Sequence, residues 1–184
     1  LIGTQTPHVF EDFQSVLVNS YYDYETVLIN DSCRISIGAL DHDLFSTWQA
    51  QDQTLAIGNY LNQDLDGSYA IHTVDDFKKL LAFGQDTDYI FKLHQDLDLS
   101  DDPDFFIPYF AGTLEGEGHT ISNLKISSSK VNTIGLFGQS CQSAISHLGV
   151  VDVDINGGYY AGGLVGSQYH YATVNNCYTT GQIS

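Results

Sequence analysis

The sequence predicts an all-β protein, a parallel β-helix in which short strands stack coil upon coil, and three observations point to it. Asp outnumbers Glu 19 to 4, and Asp disfavours helix interiors because its side chain hydrogen-bonds the neighbouring backbone. One segment has the period of two of a half-buried strand, and it reads Val151-Asp152-Val153-Asp154-Ile155. A glycine-framed motif also recurs. Strands and turns should therefore dominate, and a helical bundle is excluded.

The recurring motif sets the size of a coil. Residues 134–138 reappear as 162–166, and their glycines are 28 residues apart. An apolar-x-x-apolar segment follows each copy, at 145–148 and 174–177, and an earlier one lies at 121–124. The successive spacings of these segments, 24 and then 29 residues, lie in the range of solenoid coils.

Stacking of these coils predicts a continuous apolar core, because strands of neighbouring coils lie about 4.8 Å apart. The inward residues should form two columns along the stack. The first column is Leu124, Leu148 and Cys177, and the second is Ile121, Ile145 and Val174. On this interpretation Cys177 is a small core residue and not a nucleophile.

The first part of the chain contains one short helix, near residues 74–83. Thr73 can cap its acidic first turn, and Gly84 follows its last residue. Its apolar residues share one face, so the helix should lie against the β core.

Two regions are expected. Residues 1–68 form an acidic, β-rich N-terminal region that precedes or caps the coils, and residues 69–184 form the β-helix segment, which includes the helix. Strand-like pieces without a repeat occur in the first region, at 16–18, 27–29 and 34–40.

The charge balance excludes several classes of partner. Six Lys and Arg stand against 23 Asp and Glu, which gives a net charge of −17. A nucleic-acid interface needs clustered cations, so nucleic acid is not an expected partner. No apolar run approaches the roughly 18 residues that span a bilayer, so membrane insertion is not expected either. Cys33, Cys141 and Cys177 lack the CxxC spacing of a zinc site and cannot all pair in a disulfide framework.

Four motifs follow one another in the second region. They are YAIHTVDDF at 69–77, FKL with DLDL at 91–99, FAGTLEGEGHTISNL at 110–124, and the glycine-framed repeats that end in NCYTTG at 176–181. In this order they resemble the GLUG-repeat segments of large secreted bacterial surface proteins, especially filamentous-haemagglutinin-like exoproteins exported by two-partner secretion.

The resemblance implies a right-handed parallel β-helix in an extracellular shaft, with adhesion as the usual role and no catalytic residues. Some peptidases with this repeat use a separate zinc domain, whose HExxH motif does not occur in the chain. The chain departs from the pattern at Glu115 and Glu117, where small or amide residues are more usual. It stops inside a repeat at Ser184, and we expect a longer chain, a cap or a neighbouring subunit to follow.

One motif is a candidate calcium site. Asn62, Asp64 and Asp66 stand at alternate positions before Gly67, as in the opening of a calcium loop. The twelfth position of such a loop needs a bidentate Glu and is Thr73 here, so an ordinary acidic turn is favoured. A second aspartate-rich run is better explained as a solvated loop, and it contains Asp96, Asp98, Asp101, Asp102 and Asp104. No other cofactor is expected.

The sequence predicts no enzyme and no catalytic residues. Glu115 and Glu117 would be the acid pair of a glycosidase, whose carboxyls lie roughly 5 to 10 Å apart, but they flank Gly116 in a turn that favours a structural role. The seven histidines include no i, i+4 pair on a helix and no Gly-x-Ser-x-Gly partner. A lyase or hydrolase of acidic polysaccharides would need clustered cations, and Arg34 is the only arginine.

Four tyrosines are the candidate ligand-binding residues: Tyr159, Tyr160, Tyr169 and Tyr171. They lie in or beside turns spaced at about one coil, so their rings could stack along one flank and bind sugar faces or a protein. The alternative is that tyrosine simply fills a β surface well.

Together with these observations, the resemblance implies a non-enzymatic segment of a secreted bacterial surface adhesin. Its shaft would attach to a host-cell receptor, a glycan or neighbouring filaments. The alternative is a self-assembling structural filament, sheath or matrix protein, which would use the same stacking for self-association.

Overall fold

The computed structural model describes residues 19–27, 38–51, 55–128 and 131–184. Several predicted features lie outside these ranges: the strand piece at 16–18, residues 28–29 and 34–37 of the other two pieces, and Cys33 with Arg34.

The described elements are mostly short strands. In chain order they are β1 (Tyr22–Asp23), β2 (Ala39–Leu40), α1 (His42–Gln51), a 3-10 helix (Ile57–Asn59), β3 (Tyr69–Ile71), α2 (Val74–Lys78), α3 (Leu80–Phe83), β4 (Ile90–Leu93), β5 (Leu97–Asp98), β6 (Ile107–Phe110), β7 (Thr113–Glu115), β8 (Thr120–Ser122), β9 (Lys125–Ser128), β10 (Thr133–Ile134), β11 (Phe137–Cys141), β12 (Ala144–Ser146), β13 (Gly149–Gly157), β14 (Tyr160–Ala161), β15 (Val165–Tyr169), β16 (Thr173–Asn175) and β17 (Tyr178–Ile183).

Parallel pairing joins strands of successive coils into three stacked sheets. Sheet A has the order β3-β4-β7-β12-β16, sheet B has the order β5-β8-β13-β17 with β9 also beside β13, and sheet C has the order β6-β11-β15. Two further parallel pairs are β1-β2 and β10-β14. Each neighbour within a sheet belongs to the adjacent coil, which is the arrangement of a parallel β-helix. The predicted all-β fold is confirmed.

Two short helices, α2 and α3, occupy the predicted helix. Thr73 Oγ1 accepts a hydrogen bond from Asp76 N at 3.0 Å, and Asp76 Oδ2 accepts one from Thr73 N at 3.0 Å, which completes a capping box. Gly84 O accepts a hydrogen bond from Ala111 N at 2.7 Å. Helix α3 therefore lies beside β6, in the place that a sheet C strand takes in later coils, and covers this end of the stack.

The structure adds a helix that the sequence analysis does not predict, α1. Asp41 Oδ1 accepts a hydrogen bond from Leu44 N at 3.0 Å and so caps α1, while Asp41 Oδ2 bonds Lys79 Nζ at 2.9 Å. Tyr24, beside β1, packs edge-on against Phe105. The described part of the acidic N-terminal region therefore shares one apolar core with the coils.

Apolar side chains stack along the axis of each sheet. The column in sheet A is Tyr69, Phe91, Leu114, Ile145 and Val174, and the column in sheet B begins Leu97, Ile121 and Val150. Phe91, Leu114 and Ile145 are buried, whereas Val174 is 41% exposed because no described coil covers it. Each fully buried aliphatic side chain contributes about 1.5 to 3 kcal/mol, so the inner coils carry most of the stability.

The structure corrects the first predicted column. Leu148 and Cys177 are neighbours, immediately before the first register pair of β13 and β17. Leu124 lies beside Val153 instead, because Asp154 N donates a hydrogen bond to Leu124 O at 2.9 Å. Leu124 and Leu148 are buried, whereas Cys177, in the last coil, is partly exposed.

The second predicted column also divides. Ile145 opposes Val174 in sheet A, but Ile121 opposes Val150 in sheet B. The turn between β7 and β8 contains four residues and the turn between β12 and β13 contains two. Segments of similar sequence, 121–124 and 145–148, therefore lie on different sheets. The predicted spacing of 24 residues between them does not correspond to one coil.

Candidate functional site

The candidate calcium loop forms a tight turn beside β3. Asp64 N donates a hydrogen bond to Ser68 O at 2.8 Å, and Asp66 accepts hydrogen bonds from Ser68 N at 3.1 Å and Ser68 Oγ at 2.6 Å. Asn62 O accepts a hydrogen bond from Ala70 N at 2.9 Å. Asx-type bonds of this kind fix the turn from within.

Two side chains, one in β4 and one just after it, contact the two aspartates of this turn. Lys92 Nζ bonds Asp66 Oδ2 at 2.5 Å and lies 3.8 Å from Glu117 Oε1. His94 Nε2 lies 2.9 Å from Asp64 Oδ2. The hydrogen bond from Lys92 holds the pKa of Asp66 well below its usual range, and the same bond raises the pKa of Lys92. The turn is therefore a charged contact between coils.

Within the described ranges, no group of three or more His, Cys, Asp or Glu side chains is placed to hold a metal ion. Calcium at Asn62, Asp64 and Asp66 stays a prediction without structural support.

The side chains around Lys92 line an open groove, which we call the corner groove. Its volume is about 640 Å³, and it is lined by Asp64, Leu65, Asp66, Lys92, Leu93, His94, Glu117 and His119. Its walls come from three successive levels of the stack: the turn before β3, strand β4, and the turn between β7 and β8. Leu65 is fully exposed at the rim.

The sequence analysis singles out the acids of the corner groove but not Lys92 or the histidines. A signal was present at residues 91–94, where Lys92 in β4 and His94 just after it alternate with the buried Phe91 and Leu93. Period two therefore places both on the outward face. Their meeting with Asp64 and Glu117 depends on the stacking of coils, which the local pattern does not encode.

Carboxylates of the second aspartate-rich run connect neighbouring coils. Three of them accept hydrogen bonds of 2.8 Å from the next coil: Asp96 from Thr120 N, Asp98 from Asn123 Nδ2, and Asp104 from Ser127 N. Because these bonds favour the ionised form, they lower the pKa of Asp96 and of Asp98. Asp102 instead bonds Lys78 Nζ at 2.5 Å, and Asp101 is exposed. This aspartate-rich run therefore makes contacts between coils, in contrast to the solvated loop that the sequence predicts.

Glu115 and Glu117 face different neighbours. Glu115 Oε2 lies 3.4 Å from His147 Nδ1 in the following coil, and Glu117 Oε1 lies 3.8 Å from Lys92 Nζ in the preceding one. The two carboxylates thus serve two separate contacts along the stack.

Histidines mark one corner of successive coils, between sheets A and B. His94 contacts Asp64, His119 Nδ1 lies 3.2 Å from Asp96 Oδ1, and His147 contacts Glu115. The rings of His72 and His94 are 4.9 Å apart. The sequence analysis finds no catalytic or metal-binding spacing among the histidines, whereas the structure places these four along one edge and pairs three of them with carboxylates.

The four candidate tyrosines all lie in or beside the last coil. Tyr159 and Tyr160 pack edge-on with their ring centres 5.2 Å apart, and they are 82% and 53% exposed. Tyr169 and Tyr171, 40% and 95% exposed, lie at the other end of β15, a strand of five residues. At about 3.3 Å per residue, that strand separates the two pairs by more than 10 Å. They form two exposed patches in one coil, not a ladder across coils.

The described thiols are structural in character. Cys141 and Cys177 are free, and Cys177 Sγ donates a hydrogen bond to Asn175 O at 3.3 Å. Burial, followed by a hydrogen bond with Cys141, raises the pKa of Tyr109, so this phenol stays neutral. None of the helices in the described ranges is long and apolar enough to cross a membrane.

Comparison with known proteins relates the last coil and the chain as a whole to other sequences. Residues 157–184 match the family described as the GLUG motif. Over 169 residues the chain is 28% identical to halomucin of Haloquadratum walsbyi (strain DSM 16790 / HBSQ001), an alignment that covers 86% of this chain and 2% of halomucin. The chain thus spans a very small part of that relative, and no solved structure matches it. The segment that matches the GLUG motif is the coil from the end of β13 to β17.

Proposed function

We propose that the chain is a non-enzymatic segment of a secreted surface protein, a β-helical shaft that contributes to attachment to host cells, glycans or neighbouring filaments. The observation that carries the proposal is the use of the polar side chains. Carboxylates, imidazoles and Lys92 connect one coil to the next, while the apolar columns run through the coils without interruption. Such a stack suits a rigid spacer that presents contact residues on its surface.

The comparisons support this proposal at the level of the repeat. A GLUG motif and similarity to halomucin are what a repeat segment of a secreted or cell-surface protein would show. We extend this to a parent protein of the filamentous-haemagglutinin type, exported by two-partner secretion. The sequence on either side of the chain tests that extension, which predicts further GLUG coils and a secretion domain.

Exposed tyrosines supply the contact surface in this proposal. Tyr159 and Tyr160 offer two rings at right angles, and Tyr171 stands almost fully in solvent. Tyrosine combines a rigid apolar face with a polar tip, which suits both sugar faces and protein surfaces.

Attachment of beads coated with the 184-residue chain to a glycan array and to cultured host cells tests the proposal. We expect binding that falls in the Tyr159→Ala/Tyr160→Ala variant and is kept by Tyr159→Phe/Tyr160→Phe, because phenylalanine retains the ring. Depolymerisation of an acidic polysaccharide by the wild type, lost on Glu115→Gln, would overturn the non-enzymatic part. A second double variant, Tyr169→Ala/Tyr171→Ala, tests the other tyrosine pair. Unchanged attachment in both alanine double variants would show that the tyrosines are not the contact surface.

Self-association into a filament, sheath or matrix is a second candidate, favoured by the parallel pairing of each coil with the next. In such an assembly one copy would continue the stack of its neighbour in a head-to-tail arrangement. Sedimentation equilibrium at rising concentration should show growing assemblies if this candidate is right, and monomers throughout would exclude it.

A further inference from the structure

We propose that the corner groove binds a neutral oligosaccharide. The inference deepens the proposed function, on which it rests, by adding a polar sugar site to the exposed tyrosines of the last coil. The two surfaces are separate, since the groove lies on the first coils and the tyrosines on the last.

The groove offers both hydrogen-bonding partners that a sugar hydroxyl needs. Each hydroxyl donates one hydrogen bond and accepts others. Carboxylates at Asp64 and Glu117 accept and Lys92 Nζ donates, while the His94 and His119 rings line the groove and lie against Asp64 and Asp96. These groups already pair with one another across coils, so their positions are fixed before a ligand arrives, which lowers the ordering cost of binding.

Leu65 gives the groove its apolar component. A single exposed leucine carries no meaning by itself. Here, however, it stands between Asp64 and Asp66 and lines the groove, so its side chain is available to the C–H face of a sugar ring whose hydroxyls reach the carboxylates.

The shape and charge of the groove restrict the class of ligand further. The walls come from three levels of the stack, about 10 Å along the axis, and the groove is open along its length, so a chain of sugars fits better than an enclosed small molecule. Asp64, Asp66 and Glu117 outnumber the ammonium of Lys92. Sulfated or uronic sugars would therefore be repelled, and a neutral oligosaccharide remains.

Calorimetric titration of the 184-residue chain with maltohexaose, cellohexaose and mannohexaose, each alone, tests the proposal. We expect at least one of them to bind. Glu117→Gln and Leu65→Ser should each weaken that affinity about tenfold, while Asp75→Asn, on the exposed side of α2, should leave it unchanged. The unfolding midpoints of all variants should match that of the wild type, because both groove side chains are solvent-exposed.

Three results would overturn the proposal: no binding of any neutral hexasaccharide at millimolar concentration, binding that neither groove substitution weakens, or binding confined to heparin hexasaccharide or fully deacetylated chitohexaose. The last would indicate a charge site instead. Titration of the tyrosine double variants separates this inference from the proposed function. If neutral sugars bind those variants normally while bead attachment is lost, the sugar site in the groove is supported separately from the tyrosine surface. If sugar binding is lost in those variants, the tyrosines and not the groove bind the sugar.

Discussion

Single residues decide how closely neighbouring coils approach. Gly116 lies at the corner between sheets A and B, where a Cβ would come within 2.4 Å of His147 O and 2.7 Å of Leu148 Cα. Both are backbone atoms of the following coil, so a side chain at this position can be accommodated only if that coil moves. Glycine is therefore required here for close approach and not for a turn with positive φ.

The Gly116→Ala substitution should lower the free energy of unfolding by about 1 to 3 kcal/mol, as overpacking usually does. Urea denaturation followed by circular dichroism measures it. Gly58→Ala is the matched control, because a Cβ at Gly58 meets nothing within 4 Å. Equal effects of the two substitutions would contradict this account of the corner.

A buried aspartate and a histidine make stability depend on pH. Asp23 Oδ2 bonds His42 Nδ1 at 2.8 Å, which raises the pKa of His42. Burial raises the pKa of Asp23, but the bonds from His42 and from the N–H groups of Glu25 and Thr26 outweigh it and hold that pKa below its ordinary value. The pair therefore stabilises the fold fully from about pH 4 to about pH 6.5, between the unfolded-state values.

Above about pH 6.5 the contribution of the raised His42 pKa should be lost as the imidazole deprotonates, and below about pH 4 that of Asp23 should be lost as the carboxylate protonates. The wild type should therefore exceed His42→Gln in unfolding free energy by more at pH 5.5 than at pH 8.5. In an Asp23→Asn background the pH dependence of that difference should shrink to the smaller effect of Glu25 and Asp43. A difference that is the same at both pH values would rule out the pair as its source.

At the scale of elements, the helix N-cap at Thr73 makes a defined contribution to the free energy of unfolding. Thr73→Ala removes the acceptor for Asp76 N and half of the capping box, and we expect a loss of about 1 kcal/mol of unfolding free energy. Thr87→Ala, in an exposed turn, is the matched control and should change stability by less than about 0.5 kcal/mol. Chemical denaturation of both variants checks this, and a loss at Thr87 as large as that at Thr73 would argue against the cap.

Elements with a strong local signal could be predicted from the sequence. The capping residues and apolar face predict the helix over 74–83, period two predicts β13, and the glycine motif gives the pairing of β11 with β15, where Phe137 opposes Val165. Helix α1 lacks such a signal, because its cap Asp41 is supported by Lys79 from a distant segment.

Register between coils was harder to predict, because it depends on turn length. The similar letters at 121–124 and 145–148 suggest one column, yet two extra residues between β7 and β8 place these segments on sheets B and A respectively. The candidate site shares this difficulty. Asp64 and Asp66 are visible in a local motif, whereas the approach of Lys92 and Glu117 follows only from which coils are adjacent.

For the whole molecule, the net charge of −17 predicts that salt stabilises the fold. Like charges on a compact surface repel, and raising salt from 0.1 to 1 M shortens the screening length from about 10 Å to about 3 Å. The melting temperature should therefore rise between 0.1 and 1 M NaCl.

The salt effect should be smaller in a variant with three exposed aspartates neutralised, Asp75→Asn/Asp88→Asn/Asp101→Asn. Thermal unfolding of both proteins across the salt series separates screening of repulsion from a general salt effect, which would act on both alike. A melting temperature that falls with NaCl would mean that ion pairs such as Lys92–Asp66 outweigh the repulsion.

Disulfide trapping tests the central claim, the stacking register of the coils, most directly. In a background with Cys33, Cys141 and Cys177 replaced by Ser, the pair Ser122→Cys/Val151→Cys joins residues that are register partners in β8 and β13. Neighbouring strands lie about 4.8 Å apart, within the Cα separation of about 4.4 to 6.8 Å that a disulfide needs. The pair Ser122→Cys/Ser146→Cys instead joins the equivalent positions of the two segments with similar sequences. Rapid, complete oxidation of the first pair and none of the second under mild oxidant is the predicted result, and oxidation of the second pair in preference to the first would contradict the stack.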